Sequence, residues 1–174
     1  MARTSRTITT EPRPPRRRLG ASFILIEHML ATSITLPIEM MRAAESAAVV
    51  RDRNAVRLNI AAAAVSREPV PTRAGFRLQP DLAIDEIAHT DMVILPALWR
   101  NPRPIVRQNP QLVEWLQRLH TKGCILIAVG TGACFLAEAG LLDGKPATTP
   151  LFEPVRARLS QRAAEAPVLH HPGE

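Results

Sequence analysis

The chain has 174 residues, 46% of them hydrophobic, which suffices for one α/β domain with its own core and excludes disorder of the whole chain. No apolar run reaches the roughly 18 residues of a membrane-crossing helix, so no membrane association is expected and a cytoplasmic location is. The formal net charge is +6, and two cysteines are too few for a disulfide framework.

Much of the charge is local. Arg3, Arg6, Arg13, Arg16, Arg17 and Arg18 lie among Pro, Thr and Ser, so residues 1–20 read as a disordered basic tail. A nucleic-acid arm and a twin-arginine export signal are weaker readings, the second because Glu27 and His28 interrupt the apolar stretch that follows. "SFILIEH" (22–28) is a continuous apolar run, as in a strand buried on both faces. "TLPIEMMRAAESAAVVR" follows as a helix, with Pro37 in its first turn and Ile38, Met41, Ala44 and Ala48 on an inward face. A second strand spans 56–66. "PVPTRAGFRLQPD" reads as a hairpin turning near Ala74-Gly75. A short helix around 84–89 leads into a third buried strand, 91–97, and "LWRNPRP" reads as a loop.

"NPQLVEWLQRLHTKG" carries helix signals at both ends, with Asn109 as N-cap, Pro110 at the first position and Gly123 after the last turn. Its apolar stripe is Leu112, Trp115, Leu116 and Leu119. A fourth strand, 124–129, runs into Gly130-Thr131-Gly132 and a helix over 133–139. The alternation of strands and helices implies an open, mostly parallel sheet with helices on both faces. In such sheets ligands bind beyond the carboxyl ends of the strands.

The bend at Gly130 is therefore the candidate site. Its backbone N–H groups and the Thr131 hydroxyl suit a carboxylate or another polar ligand, and the glycines permit close approach. The alternative is that Gly130 and Gly132 serve only a tight turn and close helix–sheet packing. Ala97 and Leu98, after the third strand, end on the same side, and the expected ligand set is Gly130, Thr131, Gly132, Ala97 and Leu98. Trp99 either walls this pocket or packs under its loop. Cys124 and Cys134 read as buried structural thiols. The histidines show no metal-ligand spacing with them, so neither a metal nor a cofactor is expected.

"VILPALWRNP…LVEWLQRLHTKGCILIAVGTGACFLAEAGLLDGKPATT" resembles the class I glutamine amidotransferase-like (ThiJ/PfpI) domain, in the version fused ahead of an AraC-type DNA-binding domain in bacterial transcription regulators. The resemblance covers about Phe23 to Thr149. It implies a flavodoxin-like three-layer sandwich, frequent homodimers, and sensing of an unknown small molecule. Enzymatic members carry a cysteine at the bend, where this chain has Gly130, and a glutamate near the position of Ser33. A chain with neither is expected to be a non-catalytic sensor or dimerisation domain. The alternatives are a hydrolase or glyoxalase of the superfamily, and a non-functional gene fragment.

The expected domains are the tail 1–20, the sensor 21–149, and a divergent segment 150–174. The last stretch loses its aromatics to Ala, Arg and Pro, as when a GC-rich gene is read out of frame. Reading one nucleotide over, Arg158–Glu174 permits "DYPNVRLKRQFFITRA", which resembles what the regulators carry there. The last strand and helix of the sandwich are then expected to be missing or replaced. No helix-turn-helix pattern is present, so this chain alone is not expected to read DNA sequence.

Overall fold

A computed structural model describes residues 18–143 and Lys145. The divergent segment 150–174 and the tail up to residue 17 lie outside the described residues.

Five strands form one parallel sheet: β1 (Arg18–Ile24), β2 (Arg57–Ala64), β5 (Leu82–Ala83), β6 (Met92–Leu95) and β7 (Ile125–Ala128), in the order β5-β2-β1-β6-β7. A separate antiparallel hairpin joins β3 (Val70–Pro71) to β4 (Arg77–Leu78), with Gly75 in its turn at φ +92°. The helices are α1 (Thr32–Arg51), α2 (Arg103–Gln108), α3 (Pro110–Thr121) and α4 (Ala133–Glu138). This is the expected α/β architecture, with a flavodoxin-like parallel sheet and flanking helices.

The crossovers β1-α1-β2 and β6-α2-α3-β7 leave the central strands in opposite directions. Right-handed connections therefore place α1 on one face of the sheet and α3 on the other. On the α3 side the core is dense: Leu112, Trp115, Leu116 and Leu119 are buried as their spacing predicts, with Phe135 and Val93 completely enclosed.

Several local expectations shift. The first strand starts at Arg18, taking Arg18–Gly20 from the expected tail, and ends at Ile24. Leu25, Ile26 and Met29 remain buried, but in the loop that follows, so the apolar run reports burial beyond the strand. The helix α2 begins at Arg103, inside the stretch "LWRNPRP" that the sequence reads as a loop. The residues around Ile84 form a single 3₁₀ turn, Ile84–Glu86. Asn109 precedes α3 as expected, but its side chain does not cap that helix; Nδ2 donates to Ile105 O at 2.7 Å.

α1 departs most. Only Ser33 and Ile34 are buried; Ile38 and Met41 are half-buried, and Ala44 and Ala48 are exposed. Leu36, Met40 and Val50 also face outward, so apolar residues surround the helix on all sides. On β7, Ile125 and Ile127 are 58% and 41% exposed while the alternate residues Leu126 and Ala128 pack inward. With α3 on the other face, no described helix covers this side of β7.

Candidate functional site

Three loops meet at the carboxyl ends of β1, β6 and β7, and adjacent residues of the middle loop hold them together. Ala97 N–H donates to Ser33 Oγ at 3.0 Å, and Leu30 N–H donates to Ala97 O at 2.9 Å. Leu98 N–H donates to Thr131 Oγ1 at 2.7 Å, and the Thr131 hydroxyl donates back to Leu98 O at 2.8 Å. Trp99 N–H reaches His28 O at 3.0 Å, and Met29 bridges Leu98. His28 and Arg100 stand on this seam at φ 63° and 59°. For non-glycine residues that backbone costs on the order of 1–3 kcal/mol, and such strain gathers at functional loops.

The structure brings Gly130, Thr131, Gly132, Ala97 and Leu98 into one unit, but their roles differ. Gly130 is exposed and lies at φ +51°, the left-handed backbone of a sharp strand-to-helix bend. A Cβ added there meets only Ala97 Cβ, at 3.7 Å. Gly132 is a packing glycine. Its added Cβ would lie 2.5 Å from Pro96 O and 3.1 Å from Leu95 O, so its missing side chain makes room for the end of β6. Thr131 and Leu98 are buried, and the Thr131 hydroxyl is satisfied by Leu98 in both directions.

The backbone bonds of the bend run from Val129 N–H to Leu95 O and from Gly132 N–H to Val129 O. Ala133 N–H closes onto Gly130 O and Thr131 O. The N–H groups of Gly130 and Thr131 take no acceptor among these bonds, leaving them as the donors an approaching ligand would meet.

Nucleophilic chemistry has no support at these positions. Gly130 stands where a thiol would attack, and Ser33, where an acid would stand, spends its hydroxyl on Leu30 O at 2.6 Å. Burial pushes the Cys134 thiol up to about 11. Burial, helped by the nearby Asp91 charge, raises Cys124 as well. Both thiols are buried, unlike the low-pKa, partly exposed cysteines of catalytic sites. Among the described residues no group of three or more His, Cys, Asp or Glu side chains is placed to hold a metal ion. Nor is any helix among them long and apolar enough to cross a membrane.

Trp99 does not pack under its loop. It is 45% exposed, with the Arg73 guanidinium 5.6 Å from its ring centroid. The sequence reading passes over Arg73, because the hairpin that carries it is far from Trp99 in the chain.

Comparison with known proteins agrees with this fold. The HTH-type transcriptional regulator CdhR of Pseudomonas aeruginosa is 36% identical over 80 residues, which are 46% of this chain and 23% of that protein. The chain thus spans under a quarter of the curated relative's length. The solved AraC family transcriptional regulator from Pseudomonas putida superposes with a TM-score of 0.63 at 23% identity, covering 83% of this chain and 72% of that one. A two-domain protein from Anabaena variabilis with DJ-1/ThiJ/PfpI-like and ferritin-like domains gives 0.65 at 20% identity, covering 83% and 38%. At these identities the two structures speak for the fold alone. The family model described as DJ-1/PfpI matches residues 21–166, extending past Thr149, and the chain belongs to the DJ-1/PfpI family.

Proposed function

We propose that this chain is the non-catalytic, ligand-sensing part of an AraC-type transcription regulator, and that DNA is read by a helix-turn-helix part outside these 174 residues. The observation that carries the proposal is the bend: the left-handed backbone of a nucleophile turn is kept at Gly130, without a side chain to attack. The regulatory relative and the raised, buried thiols support the same reading. A polar small molecule, with a carboxylate as the best match, would meet the N–H groups of Gly130 and Thr131, with Ala97 beside them. Homodimerisation and a cytoplasmic location belong to the proposal, as does the reading of Pro150–Glu174 as an out-of-frame stretch.

The test is a thermal-shift screen of small acids, followed by titration of hits against Gly130→Asn. Asparagine tolerates the left-handed backbone and places an amide over the bend. A loss of affinity of tenfold or more is expected; unchanged affinity removes the site from the bend. Methylglyoxal turnover that disappears in Cys124→Ser or Cys134→Ser would overturn the non-catalytic reading. Sequencing the gene past codon 149 tests the frame: an early stop in the shifted frame, or no helix-turn-helix region downstream, refutes it.

A further inference from the structure

We propose that a second site, distinct from the bend, binds a small carboxylate with an apolar body in the groove between the head of α1 and the β3–β4 hairpin. The groove is a cavity of about 330 Å³. Leu30, Ala31 and Phe76 form its apolar wall, Thr32 adds a hydroxyl, the Thr35 hydroxyl donates to Ala31 O at 3.2 Å, and Arg73 is the only charged residue among the described residues that line it. This is the size and composition of a small-molecule pocket, mostly apolar with a few polar groups that fix orientation.

Arg73 is presented by a firm turn. Thr72 N–H and the Thr72 hydroxyl both donate to Phe76 O at 2.8 Å, and Gly75 N–H donates to Thr72 O at 3.2 Å. Arg73 N–H itself donates to Met29 O at 3.1 Å, tying the turn to the loop before α1. The guanidinium lies over the Trp99 ring, which holds the planar group in place. None of the ion pairs Arg42–Glu45, Arg67–Glu86, His28–Glu27 and His89–Asp91 engages Arg73. A guanidinium held in this way, without a carboxylate of its own, offers a fork of N–H donors suited to a bidentate carboxylate. The apolar wall beside it, with Phe76 48% exposed, favours an acid with a hydrocarbon body over inorganic phosphate or sulfate. The chemistry is shared by a free apolar acid and by the C-terminal residue of a peptide, and the test separates them. The site does not depend on whether the bend binds a ligand.

The test uses the whole chain and two probes, 4-phenylbutyrate and the dipeptide Gly-Phe, followed by Trp99 fluorescence; Trp115 is buried and serves as a constant background. Saturable quenching by 4-phenylbutyrate is expected, with Gly-Phe weaker if the natural ligand is a free acid and stronger if it is a peptide end. Arg73→Ala should weaken binding at least tenfold, and Arg73→Lys, which keeps the charge without the fork, by several-fold. Gly130→Asn should leave it unchanged, which separates this site from the one at the bend. Arg73 is exposed, so unchanged far-UV circular dichroism in both arginine variants is expected and shows that they are folded. Equal binding by Arg73→Ala, equal binding of 4-phenylbutyramide, or phosphate binding as strong as the acid's overturns the proposal. So does a dimer that dissociates in Arg73→Ala while neither probe binds, because the groove would then belong to a second copy.

Discussion

Replacing Gly132 with alanine should damage the domain more than the same change at Gly130, two residues earlier in the same bend. At Gly132 the new methyl would sit 2.5 Å from Pro96 O, 3.1 Å from Leu95 O and 3.3 Å from Pro96 C. Real Cβ atoms essentially never approach within 3.0 Å. The neighbours are backbone rather than the end of a flexible side chain, and Val129 N–H holds Leu95 O in the sheet. Overpacking of this kind costs about 1–3 kcal/mol, and the immobile neighbours put Gly132→Ala near the upper figure. At Gly130 the methyl has room, with Ala97 Cβ at 3.7 Å, and the cost is the left-handed backbone, about 1–2 kcal/mol. At about 2–4 °C per kcal/mol for a chain of this size, Gly132→Ala should lower Tm by about 6–12 °C and Gly130→Ala by about 2–8 °C. Thermal melts followed by circular dichroism, with urea titrations in parallel, measure both. A Gly132→Ala protein as stable as the parent, or more stable than Gly130→Ala, would refute the packing role.

Thr131→Val should cost about 2–4 kcal/mol, because it strands the buried N–H and C=O of Leu98, whereas Thr131→Ser should keep most of the stability; urea midpoints of the two compared with the parent decide this. Ser33→Ala should cost about 1–3 kcal/mol by leaving Ala97 N–H without its acceptor, and a change within error in the same titration would deny the contact any weight. Native Cys134 should resist iodoacetamide at pH 8 and react once the chain is unfolded; comparable rates in both states would contradict its burial. Its folded-state value of about 11 lies above the ordinary 9.0, so the associated stability is complete below pH 9 and is lost as pH rises through 11. Urea midpoints of the parent should therefore fall more steeply over that window than those of Cys134→Ala, and parallel curves would count against it.

The parts legible in the sequence were those where burial and periodicity coincide. α3 buries one stripe and solvates the rest, so Leu112, Trp115, Leu116 and Leu119 announce both the helix and its inner face. The apolar run from Phe23 marks the centre of the molecule correctly but not the strand end, because Leu25, Ile26 and Met29 are equally buried in loop conformation. On α1 the stripe read through Ile38, Met41, Ala44 and Ala48 misleads: Ala44 and Ala48 are exposed, and so are the apolar Leu36, Met40 and Val50, so apolar character does not mark its inner face. At the site, the glycines and Thr131 mark the bend itself. What the sequence withholds is which glycine faces open space and which faces a carbonyl; that depends on Pro96 and Leu95, over 30 residues away. Separation in the chain also hides Arg73 over Trp99, a pairing of two loops that no local pattern encodes.

The middle loop has a mechanical consequence. Ala97 is bound to the head of α1 and Leu98 to the bend, and one peptide unit separates the two attachments. A displacement of the bend is therefore not absorbed by slack; it must break a hydrogen bond or carry the start of α1 with it. α1 is 20 residues long, about 30 Å from Thr32 to Arg51, and it is clamped near its head, where Ser33 and Ile34 are buried. It is tied again at mid-length, where Leu58 N–H donates to Glu45 Oε1 at 2.8 Å and Arg42 donates to Leu58 O at 3.1 Å, so α1 joins the loop to β2 as a strut held at two points. A shift of the bend would therefore be passed along α1 to Leu58 and so return to the sheet through β2, the strand paired with β1.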